Sequence, residues 1–565
     1  MNTVRHFTSL VGLLLAISVA AQPVPVAVAP LLVKHGMVVA GHPQAAAAGL
    51  EVLKTGGNAI DAAIATSLAL GVAEPYASGL GGKLMLLYYE AVSGKTYVVD
   101  AMDVAGSVDV PAYLKRPEED HSYGYGAACV PGLAAGLWMA HQKWGTKPWA
   151  DDVQPAIALA RAGFRVLPKS RDLFEEQSKK LHRGDAEIAR LYLPGGQLPE
   201  SGSLLPNPDL AHTLELLAAH GRDGFYRGPV AEAIAAAAAQ GGGAITLADL
   251  ANYEARLVEP LGVEFRGYRV QSAPPPANGA AMFLPALKAL EDESFGGGPL
   301  RTAANLDRLG RVWRLVEPES YQLIGDTPES RANFERLVAP ARIRGLRARA
   351  FARAPAPPVA VTLDESFTED ATAATTHFIV ADSHGNVVCA TQSLSVHFGA
   401  GVVPPGTGVV LNDSMSNFEF KDAKNPDYLA PGRRSRSTVS PTIVLLRGQP
   451  VLAIGVPGAA RIPTAMLQVL LDYLVLHRRL SEAIGDTRFH FMIPWKKGDI
   501  ETFEAEQSFP AAQAESLRAL GWKVDLSEPA GRGRRFGGIN AVELNPDGSL
   551  TGYADPRRTN VAVGY

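Results

Sequence analysis

The sequence predicts an α+β protein, and three observations carry the prediction. An alanine-rich, helix-patterned stretch with abrupt glycine and proline breaks runs from about residue 130 to 350. The run Ala354-Pro355-Ala356-Pro357-Pro358 then leads into residues 364–374, acidic and small with no periodicity, which read as a mobile loop. From Thr375 onward, short apolar runs alternate with turn signals, the pattern of strands.

Composition bounds the rest. The 565 residues are 47% hydrophobic, enough for a large core, and Gly 56 with Pro 41 mark many tight turns. Lys+Arg 53 nearly balance Asp+Glu 57, so there is no basic footprint and no nucleic-acid partner is expected. Residues 1–21 have Arg5, an apolar run from Leu10 to Ile17 and the small residues Ser18-Val19-Ala20-Ala21, the layout of a secretory signal cut after Ala20 or Ala21. The run is too short to span a bilayer, so a periplasmic or secreted protein without a membrane anchor is expected. Cys129 and Cys389 both sit in apolar surroundings and read as buried free thiols. No CxxC, His-x-x-x-His or HExxH pattern supports a metal site, and the metal expectation is none.

The elements follow in order. After Gly41-His42-Pro43, residues 45–54 read as a helix closed by Gly56-Gly57. Asn58 caps a second helix, 59–72, apolar on nearly every face and therefore buried. The segment Glu74-Pro75-Tyr76-Ala77-Ser78-Gly79-Leu80-Gly81-Gly82-Lys83 precedes an apolar strand over 84–89. Its Gly-Gly-Lys ending is no phosphate loop, because Ala77 and Leu84 stand where glycine and a hydroxyl residue are required; the glycines read as a close approach of two backbones. Residues 229–240 form a helix ended by three glycines, Thr246 restarts helix, and 265–272 is a strand entering Ala273-Pro274-Pro275-Pro276-Ala277-Asn278-Gly279. Residues 375–381 and 387–394 pair as a hairpin across Asp382-Ser383-His384-Gly385-Asn386, its first residue a threonine.

Eight motifs in order then carry a resemblance. Gly36-Met37-Val38-Val39 with His42-Pro43, Gly56-Gly57-Asn58-Ala59-Ile60-Asp61-Ala62-Ala63, Glu74-Pro75 with Ser78-Gly79-Leu80-Gly81-Gly82, Pro131-Gly132, Pro274-Pro275-Pro276, Thr375-Thr376-His377-Phe378, Ser440-Pro441-Thr442 and the ending Asp555-Pro556-Arg557-Arg558 with Val563-Gly564-Tyr565 resemble the gamma-glutamyltransferase (gamma-glutamyltranspeptidase) family. The resemblance implies a four-layer αββα sandwich of the N-terminal nucleophile hydrolase type, made as a precursor that cuts itself between Ala374 and Thr375. Residues 22–374 would be the large subunit and 375–565 the small one, interleaved in one structural domain. Chemistry agrees: a chain-terminal threonine supplies both a hydroxyl nucleophile and an α-amino base of pKa about 7.7–8.0. By the same resemblance Gly458 and Ala459 stand at the oxyanion-hole glycine pair, Ser393 at a threonine close to the nucleophile, and Ser437 and Thr438 at a serine pair contacting substrate carboxylate.

The departures bear on substrate. Met102 falls where the family has the arginine that pairs with the glutamyl α-carboxylate. Asn417 replaces the aspartate that pairs with the α-ammonium, Ser414 a glutamine and Ser395 an asparagine. Losing one such charged partner typically costs about 2–5 kcal/mol. Arg436 either meets a carboxylate from the opposite wall or is a solvated arginine beside Arg433 and Arg434. The short 417–437 segment suggests an open pocket for bulkier amides. The expected function is an exported, self-processing amide hydrolase or acyltransferase on a small-molecule amide or peptide, with no cofactor. The acyl group is γ-glutamyl by family or another, such as a dicarboxylic chain, by pocket; a catalytically silent periplasmic binding protein is the alternative from another class.

Overall fold

The computed structural model describes residues 26–352, 373–493, 501–528 and 535–565. The signal expected over 1–21 and nearly all of the loop expected over 364–374 lie outside these residues.

Two seven-stranded sheets stack face to face. One has the order Val561–Gly564, Met37–Ala40, Ala373–Ala381, Val387–Val396, Lys83–Glu90, Lys95–Ala101, Arg256–Val258. The other runs Leu31–Val33, Leu550–Ala554, Asn540–Leu544, Gln449–Gly455, Thr442–Leu446, Tyr268–Ser272, Leu261–Phe265. All pairs within both sheets are antiparallel.

The period-two alternation of side chains sorts residues into layers. Leu84, Leu86, Tyr88, Phe378 and Val380 join the apolar cluster formed with the helices Pro43–Lys54 and Ala59–Ala73. Met85, Leu87, Ile379 and Cys389 turn the other way, onto Ile443, Ala453 and Val542 of the second sheet. That second sheet buries its outer face against the helices Gly279–Ala289, Ala303–Leu323 and Ile462–Leu474. Helix, sheet, sheet, helix is the four-layer αββα sandwich, an α+β fold.

Local signals hold where they are purely local. The helix Ala59–Ala73 begins at Asn58 with a capping box to Asp61, and every one of its residues except Gly71 is buried. Thr246 caps Leu247–Asn252 in the same manner with Asp249. A Cβ on Gly81 or Gly82 would lie 2.0 Å from Val410 O or 2.3 Å from Ser393 O, so these glycines do serve a close backbone approach. Two expectations change. Residues 265–272 are the end of one strand and the whole of the next, because Arg266 and Gly267 take positive φ and make a two-residue hairpin turn. The hairpin strand expected to begin at Thr375 begins at Ala373, so it runs through the 374/375 junction. Cys129 and Cys389 are buried and free.

Candidate active site

The strand Ala373–Ala381 slips register against Val387–Val396 between Ala374 and Thr375: Ala374 faces Ser395, whereas Thr375 faces Ser393. This bulge sits at the expected scissile bond, and a bulge re-aims side chains and breaks regular pairing. Thr375 Oγ1 lies 3.0 Å from Ser393 Oγ, which also donates to the Ala374 carbonyl oxygen. The Ser395 backbone N–H donates to Ser393 Oγ at 2.9 Å and Arg558 donates to the Thr375 carbonyl at 2.9 Å, so both flanks of the junction are held. Arg558 is half-buried near the buried Glu74; burial pushes the Glu74 carboxyl upward, against the Thr376 hydroxyl and the Arg558 charge.

A cavity of about 660 Å³ opens on this junction, and its wall includes Thr375, Ser393, Ser395, Asn417, Arg436, Ser437, Thr438 and Ala459. Ala459 begins the short turn Ala459–Arg461, which feeds the helix Ile462–Leu474. The backbone N–H groups of Gly458 and Ala459 thus sit ahead of a helix N-terminus, where the helix dipole favours negative charge. Ala459 has φ +48°, the left-handed region where alanine is strained. Thr438 braces it by donating to its carbonyl oxygen at 2.8 Å.

His377, two residues beyond Thr375, is not a base for it. Its ring is fully buried, 2.8 Å from Thr391 Oγ1 and 3.6 Å from Cys389 Sγ, and burial lowers its pKa to about 3.

Three residues nominated from sequence do not line the cavity: Gly458, whose neighbour Ala459 does, Met102 and Ser414. Met102 follows the parity of its strand into the apolar layer between the sheets. Ser414 is fully buried beneath the floor, 2.8 Å from Lys83 Nζ and 2.6 Å from Asp103 Oδ2. Arg436 is not a solvated arginine. It is buried at the cavity wall, with Nε 3.5 Å from Asp427 Oδ2 and its guanidinium over the Tyr321 ring.

The structure also adds residues the sequence reading missed. Asn278 lines the cavity with neither side-chain amide atom hydrogen-bonded, and Asp413 lines it with Oδ2 unpartnered. Lys83 pairs with Asp103 below the floor. Met102 and Asn417 thus leave their two positions without a charge, while Lys83, outside the cavity lining, and Asp413, on it, stand nearby at other positions. A charge at the end of an otherwise apolar strand was the available signal for Lys83.

The four layers, with a threonine at the cavity end of a central strand, define the N-terminal nucleophile hydrolase class. A sequence model described as gamma-glutamyltranspeptidase matches residues 45–565, and the chain belongs to that family. Among curated relatives, the acylase ACY 1 proenzyme of Pseudomonas sp. (strain V22) is 34% identical over 541 residues, covering 93% of this chain and 92% of the relative. The glutathione hydrolase proenzyme of Pseudomonas sp. (strain A14) is 32% identical over 554 residues, covering 95% of each. The crystal structure of cephalosporin acylase from Bacillus halodurans superposes with TM-score 0.84 at 26% identity, covering 97% of this chain and 98% of that one. The protein is an enzyme, a gamma-glutamyltransferase-like hydrolase.

Proposed function

We propose that this enzyme is made as a precursor that cleaves itself between Ala374 and Thr375 and then hydrolyses amides of a non-glutamyl acyl group. The observation that carries the reading is Ser393 Oγ bonded at once to the Ala374 carbonyl and to Thr375 Oγ1 across the bulge. In self-cleavage Thr375 Oγ1 attacks the Ala374 carbonyl carbon, the acyl chain moves from nitrogen to oxygen, and water hydrolyses the ester. This frees a carboxylate on Ala374 and an amino group on Thr375. In turnover that amino group accepts the hydroxyl proton as Oγ1 attacks the substrate amide. The Gly458 and Ala459 N–H groups face the developing oxyanion, the proton passes to the departing amine, and water resolves the acyl-enzyme. No step requires a metal or organic cofactor.

The acyl reading rests on Met102 lying outside the cavity and on the neutral Asn417 within it, and a relative named an acylase agrees with it. The substrate is a small-molecule amide, and the subunits are residues 22–374 and 375–565. No helix among the described residues is long and apolar enough to cross a membrane; with the signal layout of residues 1–21 this supports export. The test is a denaturing gel with N-terminal sequencing, followed by p-nitroanilide turnover. Two chains, one starting Thr-Thr-His-Phe, and release of nitroaniline from a simple acyl anilide faster than from the γ-glutamyl anilide are expected. A single full-length chain without activity would overturn it.

A further inference from the structure

The strand Lys83–Glu90 pairs with Lys95–Ala101 so that Leu84 faces Ala101. Lys83 lies just beyond that last pair and is itself opposite Ser393 on the strand's other side. Its side chain is buried, and its Nζ lies 2.7 Å from Ser395 Oγ, 2.8 Å from Ser414 Oγ and 3.5 Å from Asp103 Oδ1. Asp103 accepts in addition from Ser414 at 2.6 Å and from Ser435 at 2.9 Å. Ser395 lines the cavity, has φ +78°, and accepts a hydrogen bond from Asn417 Nδ2 at 3.0 Å.

The hydrogens can be assigned from these contacts. Two ammonium protons of Lys83 go to Ser395 and Ser414, its charge is paired with Asp103, and the Ser414 proton goes to Asp103. Ser395 Oγ, which accepts from Lys83 and Asn417, has used both lone pairs. Its own O–H is the hydrogen left over, resting on Ser414 at 2.8 Å or turned into the cavity. A hydroxyl that accepts a charged donor is polarised into a stronger donor itself. A serine with positive φ costs backbone energy, and such strain gathers where a side chain has to be aimed.

We infer that Lys83 is a specificity-determining positioning residue of this site: acting through Ser395, it makes one wall of the cavity a hydrogen-bond donor for an oxygen anion or carbonyl on the acyl chain. An ammonium group at the same place meets a donor and is rejected. The inference rests on the amide-hydrolase reading above.

The test compares glutaryl p-nitroanilide with pentanoyl p-nitroanilide, chains of equal length with and without a terminal carboxylate. For Ser395→Ala, which leaves the Lys83–Asp103 pair intact, the ratio of kcat/KM for the glutaryl to the pentanoyl compound is expected to fall at least tenfold, with the loss in KM. Lys83→Met is expected to shift the ratio in the same direction and Lys83→Arg to restore part of it. If Lys83→Met remains a single unprocessed chain, Ser395→Ala decides. An unchanged ratio, with both substrates falling together, overturns the inference and marks Lys83 as structural. Wild-type enzyme that cleaves the pentanoyl chain and ignores the glutaryl one overturns the inference alone; wild-type enzyme inert toward both overturns the amide-hydrolase reading with it.

Discussion

Ser393 Oγ stands 3.0 Å from Thr375 Oγ1 while donating to the carbonyl oxygen of Ala374. One hydroxyl thus polarises the bond to be cut and orients the group that cuts it, so the two functions should fail together. Thr375→Ala is expected to remain one chain with no turnover. Ser393→Ala should mature slowly and, once mature, turn over about 10²- to 10³-fold more slowly, the usual loss when one transition-state donor is removed. Timed gels with single-turnover kinetics on the mature fraction check both; fast maturation of Ser393→Ala would remove it from the mechanism.

Arg558 approaches the same junction from the C-terminal segment and donates to the Thr375 carbonyl at 2.9 Å. Replacing it by methionine keeps the stem's volume but leaves Glu74 buried without its cation. Glu74 feels the Arg558 charge without a close ion pair, and burial already pushes its carboxyl upward, so the stability loss should stay below the roughly 3–5 kcal/mol typical of a broken buried pair. The expected outcome is slowed self-cleavage with a lowered unfolding temperature, and Glu74→Gln in the same chain should recover part of the stability without restoring the rate. Recovery of both would mean that Arg558 acts only on the fold.

Ala459 holds φ +48° at the end of the cavity, a conformation that costs a non-glycine residue roughly 1–2 kcal/mol. Ala459→Gly removes that strain but adds freedom to the unfolded chain, worth about 0.4–1 kcal/mol in the other direction. The mature enzyme should therefore gain up to about 1 kcal/mol in stability, with kcat within a few-fold of wild type because the N–H is unchanged. Loss of stability in thermal unfolding would show that the Ala459 methyl makes packing contacts that outweigh the strain.

These residues also mark how far the sequence could be read. The capped helix at Asn58 and the hairpin turn over 382–386 are set by neighbours within a few positions, so periodicity and turn chemistry expose them; Gly81 and Gly82 signal a close approach, but not that its partners are Val410 and Ser393. The family resemblance supplied the αββα layering and nominated Thr375, Ser393, Gly458 and Ala459 for the site. What stayed hidden depends on pairing between distant segments. That Lys83 meets Ser395 and Ser414 requires bringing together segments more than 300 residues apart, and that Met102 turns into the apolar layer requires knowing which face of the sheet is inside. Aligning Met102 with a binding residue placed it in the site by position; the side chain's own parity placed it in the core. Asn278 and Asp413 were missed for the same reason, since nothing local distinguishes a loop amide or carboxylate that ends up facing a cavity.

Asp152 gives a pH dependence unrelated to catalysis. It is fully buried, neither carboxylate oxygen has a hydrogen-bond partner, and it faces Asp61 and His141, whose Nε2 is 3.8 Å away. Burial first, and the Asp61 charge second, push its pKa up from 3.8 to about 8; Lys147 opposes them and Asp151 adds to them. The folded protein thus keeps a proton that the unfolded chain has already released. The associated stability is complete below about pH 4 and has been lost once the pH passes about 8. Asp152→Asn copies the protonated side chain at every pH. It should flatten the fall in unfolding temperature between pH 5.5 and 8.5 and leave the variant more stable than wild type at the upper end by roughly 1–3 kcal/mol. Parallel slopes for the two proteins would mean that Asp152 is ionised in the fold throughout, with a partner that burial and geometry do not reveal.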